Sequence, residues 1–193
     1  MGSSDKARRE AARLDEGDVI AVLLRQHARV RDLFDDVASA TGEHKQQAFD
    51  ELRALLAVHE TAEEMVLRPI SERVAGKAVV DARNAEEARA NEVLAALEDL
   101  DVASPDFDEQ LEDFRQAVVA HAEAEEREEF PAVVDGCDDT ERLQLGRALR
   151  AAEAVAPTHP HPSTAGSTVK QWAVGPAASL VDRTRDAIRS VLP

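Results

Sequence analysis

The sequence predicts an all-α protein built as an antiparallel up-down-up-down four-helix bundle with additional C-terminal helical segments. Three observations support this fold class. Helix-forming Ala, Leu, Glu and Arg dominate the 193 residues, whereas aromatic residues make up only 3% and tyrosine is absent. Apolar residues recur at helical spacing in four long segments. Short turn-forming stretches join these segments, as in an antiparallel bundle.

The bundle itself is assigned to residues 17–140, after a polar N-terminus (1–16) that is expected to be flexible and lacks the apolar run of a signal peptide. Thr41-Gly42 is a stop signal after the first helix, and Pro69 ends the second helix or begins a short further turn. Ser104-Pro105-Asp106 is typical of the start of a helix. The four helices are expected at about Asp18–Ala40, Glu43–Leu67, Gly76 to Leu100, and Asp106–Val134.

Three segments follow the bundle. An extra helix is expected over residues 141–155. Residues 156–176 contain prolines among Ser, Thr and Gly and are interpreted as a Pro-rich linker. Residues 177–193 are expected to form an amphipathic C-terminal helix that could dock on the bundle, meet a partner or stay loose.

The charge balance limits the partners of this chain. Its 39 acidic residues outnumber 23 basic ones, for a formal net charge of −16, so nucleic acid and anionic membranes are not expected partners. The sequence contains no run of about 18 uncharged apolar residues, so no transmembrane segment is expected. A single cysteine, Cys137, rules out an internal disulfide and is interpreted as a surface-loop thiol in a reducing compartment. We expect a cytoplasmic protein that is a monomer or a weak dimer.

Polar residues interrupt the apolar stripe of every predicted helix, although a buried charge is unfavourable unless it is paired or bound to metal. The second and fourth helices repeat the pattern His-x-x-x-Glu, which places both side chains on one helical face about 6 Å apart. One further ionisable residue in each of the other helices lies at a similar height. The sequence therefore predicts a metal centre formed by His27, His59, Glu63, Glu87, His121 and Glu125.

Simpler explanations exist for each part of this pattern. A single His-x-x-x-Glu is usually a surface pair, and a polar layer can serve only to fix the register of the helices. Repetition of the pattern at matching heights favours a metal site. Weaker candidates are His44, which lacks a suitably spaced carboxylate, and His159 and His161, which lie in a Pro-flanked loop. The acidic run Glu123–Glu129 is interpreted as a mostly solvated face, apart from Glu125.

These residues resemble the hemerythrin-like (HHE cation-binding) domain family over roughly residues 17–135. The resemblance rests on Gln26-His27, on His59-Glu60-Thr61-Ala62-Glu63-Glu64 with Leu67-Arg68-Pro69, and on His121-Ala122-Glu123-Ala124-Glu125-Glu126 with Phe130-Pro131. It implies a four-helix bundle, a non-haem di-iron centre, and peroxide, dioxygen or nitric oxide as the bound small molecule. The third helix of the family usually offers a histidine, where this chain has Glu87, with Glu86 as the neighbouring alternative. Asn91 stands where oxygen carriers have a further histidine.

Imidazole and carboxylate ligands together suit iron, with manganese and zinc as the alternatives. If Glu63 and Glu125 bridge two ions, and an oxo or hydroxo group also bridges them, about two of twelve octahedral positions stay open for an exogenous ligand. Three carboxylates should favour the ferric state, which disfavours reversible oxygen carriage.

The expected function is therefore binding of, or reaction with, small oxidants, including weak peroxide decomposition in oxidative or nitrosative stress. The first alternative is a non-catalytic iron-binding module, or a module that senses oxygen or nitric oxide and signals through its C-terminal tail. The second is a structural bundle without stoichiometric metal.

Overall fold

The computed structural model describes residues 2–156 and residue 158. Nearly all of the sequence predicted to form the linker (156–176), and all of the C-terminal helix (177–193), lie outside the described residues. Within the described part the secondary structure is entirely helical, which confirms the predicted all-α class. The elements are α1 (Ser3–Ala11), α2 (Val19–Ser39), α3 (Gly42–Ala62), π1 (Glu63–Leu67), α4 (Arg68–Val74), α5 (Lys77–Glu98), α6 (Pro105–Ala124), π2 (Glu125–Glu129), α7 (Phe130–Gly136) and α8 (Asp139–Glu153).

Four continuous helical rods form the bundle: α2, α3–π1–α4, α5 and α6–π2–α7. Helix α2 packs against α3 and α6, and α5 packs against α4 and α6. Local sequence signals fix where the rods begin. The carboxylate of Asp18 accepts a hydrogen bond from the Ile20 backbone N–H at 2.9 Å, and the Ser104 hydroxyl accepts one from the Phe107 N–H at 3.2 Å. Gly76, at φ 92°, adopts the left-handed backbone conformation that precedes α5.

Each His-x-x-x-Glu pattern ends in a five-residue π-helical segment that begins at its glutamate. The N–H of Arg68 donates to the Glu63 carbonyl, one residue further back than in an α-helix, and Phe130 does the same to Glu125. Proline follows directly, because Pro69 and Pro131 lie in the first turn of α4 and α7. A proline inside an α-helix clashes with the carbonyl four residues earlier, and the wider π turn relieves that clash. The rods therefore continue past both prolines.

The apolar core is divided into two clusters along the bundle. One contains the first half of α2 up to Ala28, and the other begins at Val30 of the same helix. The second cluster includes two edge-to-face aromatic pairs, Phe34 with Phe114 and Phe49 with Phe107, with ring centroids 5.7 and 5.0 Å apart. His27 lies at the junction of the two clusters. A layer of buried polar side chains thus separates two apolar layers.

Two helices outside the bundle cover one of its ends. The N-terminal segment predicted to be flexible contains α1, which buries Ala7 and Ala11 against α2. Only these small side chains form its apolar face, so the hydrophobic pattern of the segment is weak. Helix α8 lies where the extra helix over 141–155 is expected, and it packs on α2, α3 and π1. A Cβ atom on Gly146 of α8 would lie 1.9 Å from the Gly17 carbonyl oxygen, so this close approach requires glycine.

The interpretation of Cys137 as a surface thiol is wrong. Its side chain is buried at the end of α7, because α8 folds back over this turn. A guanidinium N–H of Arg73 donates to the Cys137 sulfur at 3.3 Å. None of the described helices is both long and apolar enough to cross a membrane.

Candidate metal centre

The six predicted site residues, drawn from all four rods, converge in the polar layer. They form two groups of four, and in each group one ligand atom from every residue lies within 4.8 Å of the others. Glu63 and Glu125 belong to both groups. The His27 group is His27, His59, Glu63 and Glu125, and the His121 group is Glu63, Glu87, His121 and Glu125.

The Nε2 atoms of the three histidines face the shared carboxylates. His27 Nε2 lies 3.3 Å from Glu125 Oε2, and His59 Nε2 lies 3.6 Å from Glu63 Oε2. His121 Nε2 lies 3.2 Å from Glu125 Oε1 and 3.6 Å from Glu87 Oε1. Glu63 and Glu125 are almost fully buried, whereas the His121 side chain keeps 16% of its surface exposed. The layer therefore opens towards solvent on the His121 side.

The opposite ring nitrogen of each histidine is held by an outer acceptor. His27 Nδ1 lies 3.0 Å from Glu126 Oε1, His59 Nδ1 lies 2.8 Å from the Gln26 side-chain oxygen, and His121 Nδ1 lies 2.9 Å from Glu86 Oε2. Because these oxygens act as acceptors, each Nδ1 carries the proton and donates. A neutral imidazole then has its lone pair on Nε2, directed at the layer. Metal-binding histidines in proteins are oriented in this way.

The pKa values of the two shared carboxylates are shifted in opposite directions. Burial, together with the neighbouring Glu125 carboxylate, raises the pKa of Glu63 well above its ordinary value. Burial also disfavours ionised Glu125, but His121 and Arg68 outweigh that effect and hold the pKa of Glu125 well below its ordinary value. Burial and the nearby His27 lower the pKa of His59 to about 3, so its ring is neutral near pH 7. Neutral imidazole is the form that binds metal.

The same carboxylates attract positive charge to the other two rings. Burial alone would lower the pKa of His27, but its contacts with Glu125 and Glu126 raise it above the ordinary value. Burial opposes protonation of His121 as well, and Glu125 again raises the pKa well above the ordinary value. The layer is therefore an environment that stabilises cations.

Four candidate ligand atoms in the layer indicate whether its residues are suited to bind a metal ion. Each of these atoms is buried and has no hydrogen-bond partner, which is unfavourable for a polar group in a protein interior. A cation bound by the six side chains would give each atom a partner, and nitrogen with carboxylate oxygen is a donor set that suits iron, manganese or zinc. The six side chains are therefore suited to bind a metal ion. The four atoms are His27 Nε2, Glu63 Oε1, Glu87 Oε2 and Glu125 Oε2.

The guanidinium of Arg68, a residue outside the predicted set of six, lies within the layer. Its Nη1 donates to both oxygens of Glu129 at 2.7 and 2.8 Å. Its Nη2 donates to Glu125 at 2.7 Å and to Glu87, and it lies 3.4 Å from Glu63. The three carboxylates of the His121 group all contact this one nitrogen. In an α-helix five residues rotate by about 140°, so spacing alone directs Arg68 away from Glu63; the π turn brings it back.

The acidic residues around the layer divide into inner and outer positions. Glu87 belongs to the His121 group, whereas the alternative Glu86 contacts the far nitrogen of His121. The interpretation of the acidic run as a mostly solvated face is wrong at Glu129, which is fully buried against Arg68, and at Glu126, whose side chain is 5% exposed. Glu129 lies four residues after Glu125, so helical spacing could have identified it.

A cavity of about 420 Å³ reaches the layer from the His121 side. Site residues including His27, His59 and His121 line one part of it. Apolar side chains line most of the rest, among them Leu56, Leu94, Phe114 and Val118. A small molecule can therefore approach the Nε2 face of the layer through largely apolar walls. Asn91 also lines the cavity and donates to Glu60 instead of belonging to either ligand group.

His44, one of the weaker histidine candidates, does not join the centre. His44 is exposed near the start of α3. His159 and His161 lie outside the described residues. A third acidic group, Glu60 with Glu64 and Glu87, borders the His121 group.

Comparison with known proteins gives the family and the fold of this chain. The sequence model of the hemerythrin HHE cation binding domain matches residues 18–133. Among solved structures, the chain is similar to a hemerythrin HHE cation binding domain-containing protein from Mycobacterium kansasii, with 23% identity and a TM-score of 0.64. The superposition covers 86% of this chain and 98% of the other, and at this identity it shows the shared fold. A search of curated proteins gave no significant match.

Proposed function

The chain belongs to the hemerythrin HHE cation-binding domain family, and from that premise we propose that it is a non-haem di-iron protein that binds or reacts with small oxidants such as peroxide, dioxygen and nitric oxide. One observation carries the proposal above all. Two groups of four nitrogen and oxygen ligands share Glu63 and Glu125, which is the arrangement that two neighbouring ions bridged by carboxylates need. A layer that only fixed helix register would have no need of three histidines with Nε2 turned inward.

The protein's own residues have distinct tasks in this proposal. Glu63 and Glu125 would contribute to both ion sites, and the remaining four side chains would each contribute to one. Gln26, Glu86 and Glu126 fix the tautomer and the direction of the histidine rings through Nδ1. Bound iron supplies open coordination positions and electron-transfer chemistry to the small molecule.

The charge of the ligand carboxylates and the lining of the cavity limit which small molecules the centre would bind. Three carboxylates favour the ferric state over the ferrous one, because oxidation adds positive charge that they offset. We therefore expect peroxide to be a better ligand than reversibly held dioxygen. The apolar lining of the cavity, including Phe114 and Val118, admits small uncharged molecules and limits the water that surrounds them.

The test is a comparison of iron-loaded wild-type protein with two matched variants. Glu125→Gln removes a carboxylate common to both groups, and Glu123→Gln makes the same chemical change at an exposed position two residues earlier. We expect wild type and E123Q to bind iron, change their near-ultraviolet absorption with peroxide or nitric oxide, and convert peroxide slowly to water and dioxygen. E125Q should lose these responses.

The results of this comparison distinguish a protein that reacts with peroxide from one that only binds or senses small molecules. An absorption change without peroxide turnover would favour the alternative of a binding or sensing module. Iron-loaded wild-type protein that neither consumes peroxide nor changes its spectrum with either molecule would refute the proposal.

A further inference from the structure

A buried arginine makes the two ligand groups unequal. Arg68 is 5% exposed, and its guanidinium contacts four carboxylates. Three of these belong to the His121 group, and all three are contacted by the same nitrogen, Nη2. Arginine is permanently protonated in proteins, so a full positive charge lies among these oxygens.

The His27 group has a different environment. His27 Nε2, Glu63 Oε1 and Glu125 Oε2 are buried without a hydrogen-bond partner. Arg68 contacts the other oxygen of each shared glutamate, Glu63 Oε2 and Glu125 Oε1. The guanidinium therefore neutralises one oxygen of each shared carboxylate and leaves the other, Glu63 Oε1 or Glu125 Oε2, available to a ligand.

A metal ion bound by the His121 group would need the space around Nη2. Metal–oxygen bonds to carboxylates measure about 2.0–2.2 Å, so an ion held by Glu63, Glu87 and Glu125 together would lie within the volume enclosed by those three oxygens. Arg68 Nη2 contacts the same three oxygens. Two positive charges at so short a separation repel each other strongly in a buried site. The ion and the guanidinium cannot occupy this position together.

We propose that Arg68 is an internal competitor for the second metal ion, so that the two sites load in a fixed order. This rests on the proposed function, because it presupposes that the layer binds metal. The first ion binds the His27 group while Arg68 keeps its carboxylate partners. The second ion binds the His121 group only when the guanidinium withdraws from Glu63, Glu87 and Glu125.

Glu129 gives the displaced arginine a place to remain. It is fully buried, belongs to neither ligand group, and accepts from Nη1 with both oxygens. Rotation about this contact would remove Nη2 from the ligand oxygens without leaving the guanidinium unpaired. The binding energy of the second ion is therefore reduced by the charge-assisted hydrogen bonds that Arg68 gives up.

Stepwise cobalt titration of the metal-free full-length protein tests this order of loading. Binding is followed by visible absorption in the presence of a competing chelator. Wild type should bind two ions, the second with a dissociation constant at least about tenfold higher, as expected for the loss of a charge-assisted hydrogen bond. Arg68→Met and Arg68→Gln should reduce the ratio of the two constants at least about tenfold. The glutamine variant retains N–H donors for Glu129, so it provides a second measurement if R68M does not fold without metal.

Arg142→Met is the control, because Arg142 is also buried and pairs with Asp18, which is not a ligand. It should leave the ratio unchanged. Two equal sites in wild type, or an unchanged ratio in the folded Arg68 variants, would overturn the role of Arg68 while leaving metal binding intact. Absence of cobalt binding in every protein, with no binding of iron either, would instead contradict the proposed function.

Discussion

Removal of bound metal by a chelator should lower the melting temperature of this protein substantially. Four buried ligand atoms, on His27, Glu63, Glu87 and Glu125, have no hydrogen-bond partner within the protein. An unpaired buried polar atom costs at least about 1 kcal/mol, so a bound cation that pairs all four should stabilise the fold by about 4 kcal/mol. For a chain of this length, 1 kcal/mol corresponds to about 2–4 °C. Metal loading should therefore raise the melting temperature by about 8–16 °C.

The assay is thermal unfolding followed by circular dichroism, before and after chelation, with metal content measured in each sample. His59→Ala removes a ligand of the His27 group and should lose most of the metal-dependent shift. His44→Ala changes an exposed histidine outside the centre and should retain the full shift. A shift below about 2 °C in protein that demonstrably bound and released metal would refute the assignment of the unpaired atoms to a cation site.

Three further predictions address the parts of the structure separately. Glu87→Gln should reduce metal content at saturation from two ions to one, measured by elemental analysis, because the His121 group contains Glu87 and the His27 group does not; two retained ions would contradict this. Gln26→Ala should weaken metal affinity about tenfold without changing stoichiometry, measured by chelator competition, because His59 loses its outer acceptor; unchanged affinity would count against that role. Gly146→Ala should destabilise the protein by about 3 kcal/mol or more in urea unfolding, because its Cβ would overlap the Gly17 carbonyl; wild-type stability would show that α8 can shift.

The grouping of the six site residues could be predicted because it follows from helical geometry alone. The two His-x-x-x-Glu patterns identify the inward faces of the second and fourth helices. The lengths of the predicted helices place His27 and Glu87 at a similar height along the bundle. The structure brings all six together, with Glu87 in the inner position that sequence analysis had left open between Glu87 and Glu86.

The position of Arg68 in the site depends on a departure from regular α-helix that apolar periodicity does not predict. Pro69 and Pro131 indicate an interruption, but whether the helix stops or widens depends on packing around it. Because the π turn shifts the register by about one residue, Arg68 enters the layer from a position that α-helical spacing directs elsewhere. Glu129 was missed for a different reason: its neighbours Arg127 and Glu128 are exposed, so the run as a whole has the composition of a solvated face.

The most direct test of this account is the metal content of protein purified without added metal and then loaded with iron to saturation. The account predicts transition metal in the purified protein, two iron ions per chain at saturation, and near-ultraviolet charge-transfer bands that disappear in Glu125→Gln but persist in Glu123→Gln. Protein that takes up no stoichiometric metal, and whose stability is the same with and without it, would show that the polar layer serves only the packing of the helices.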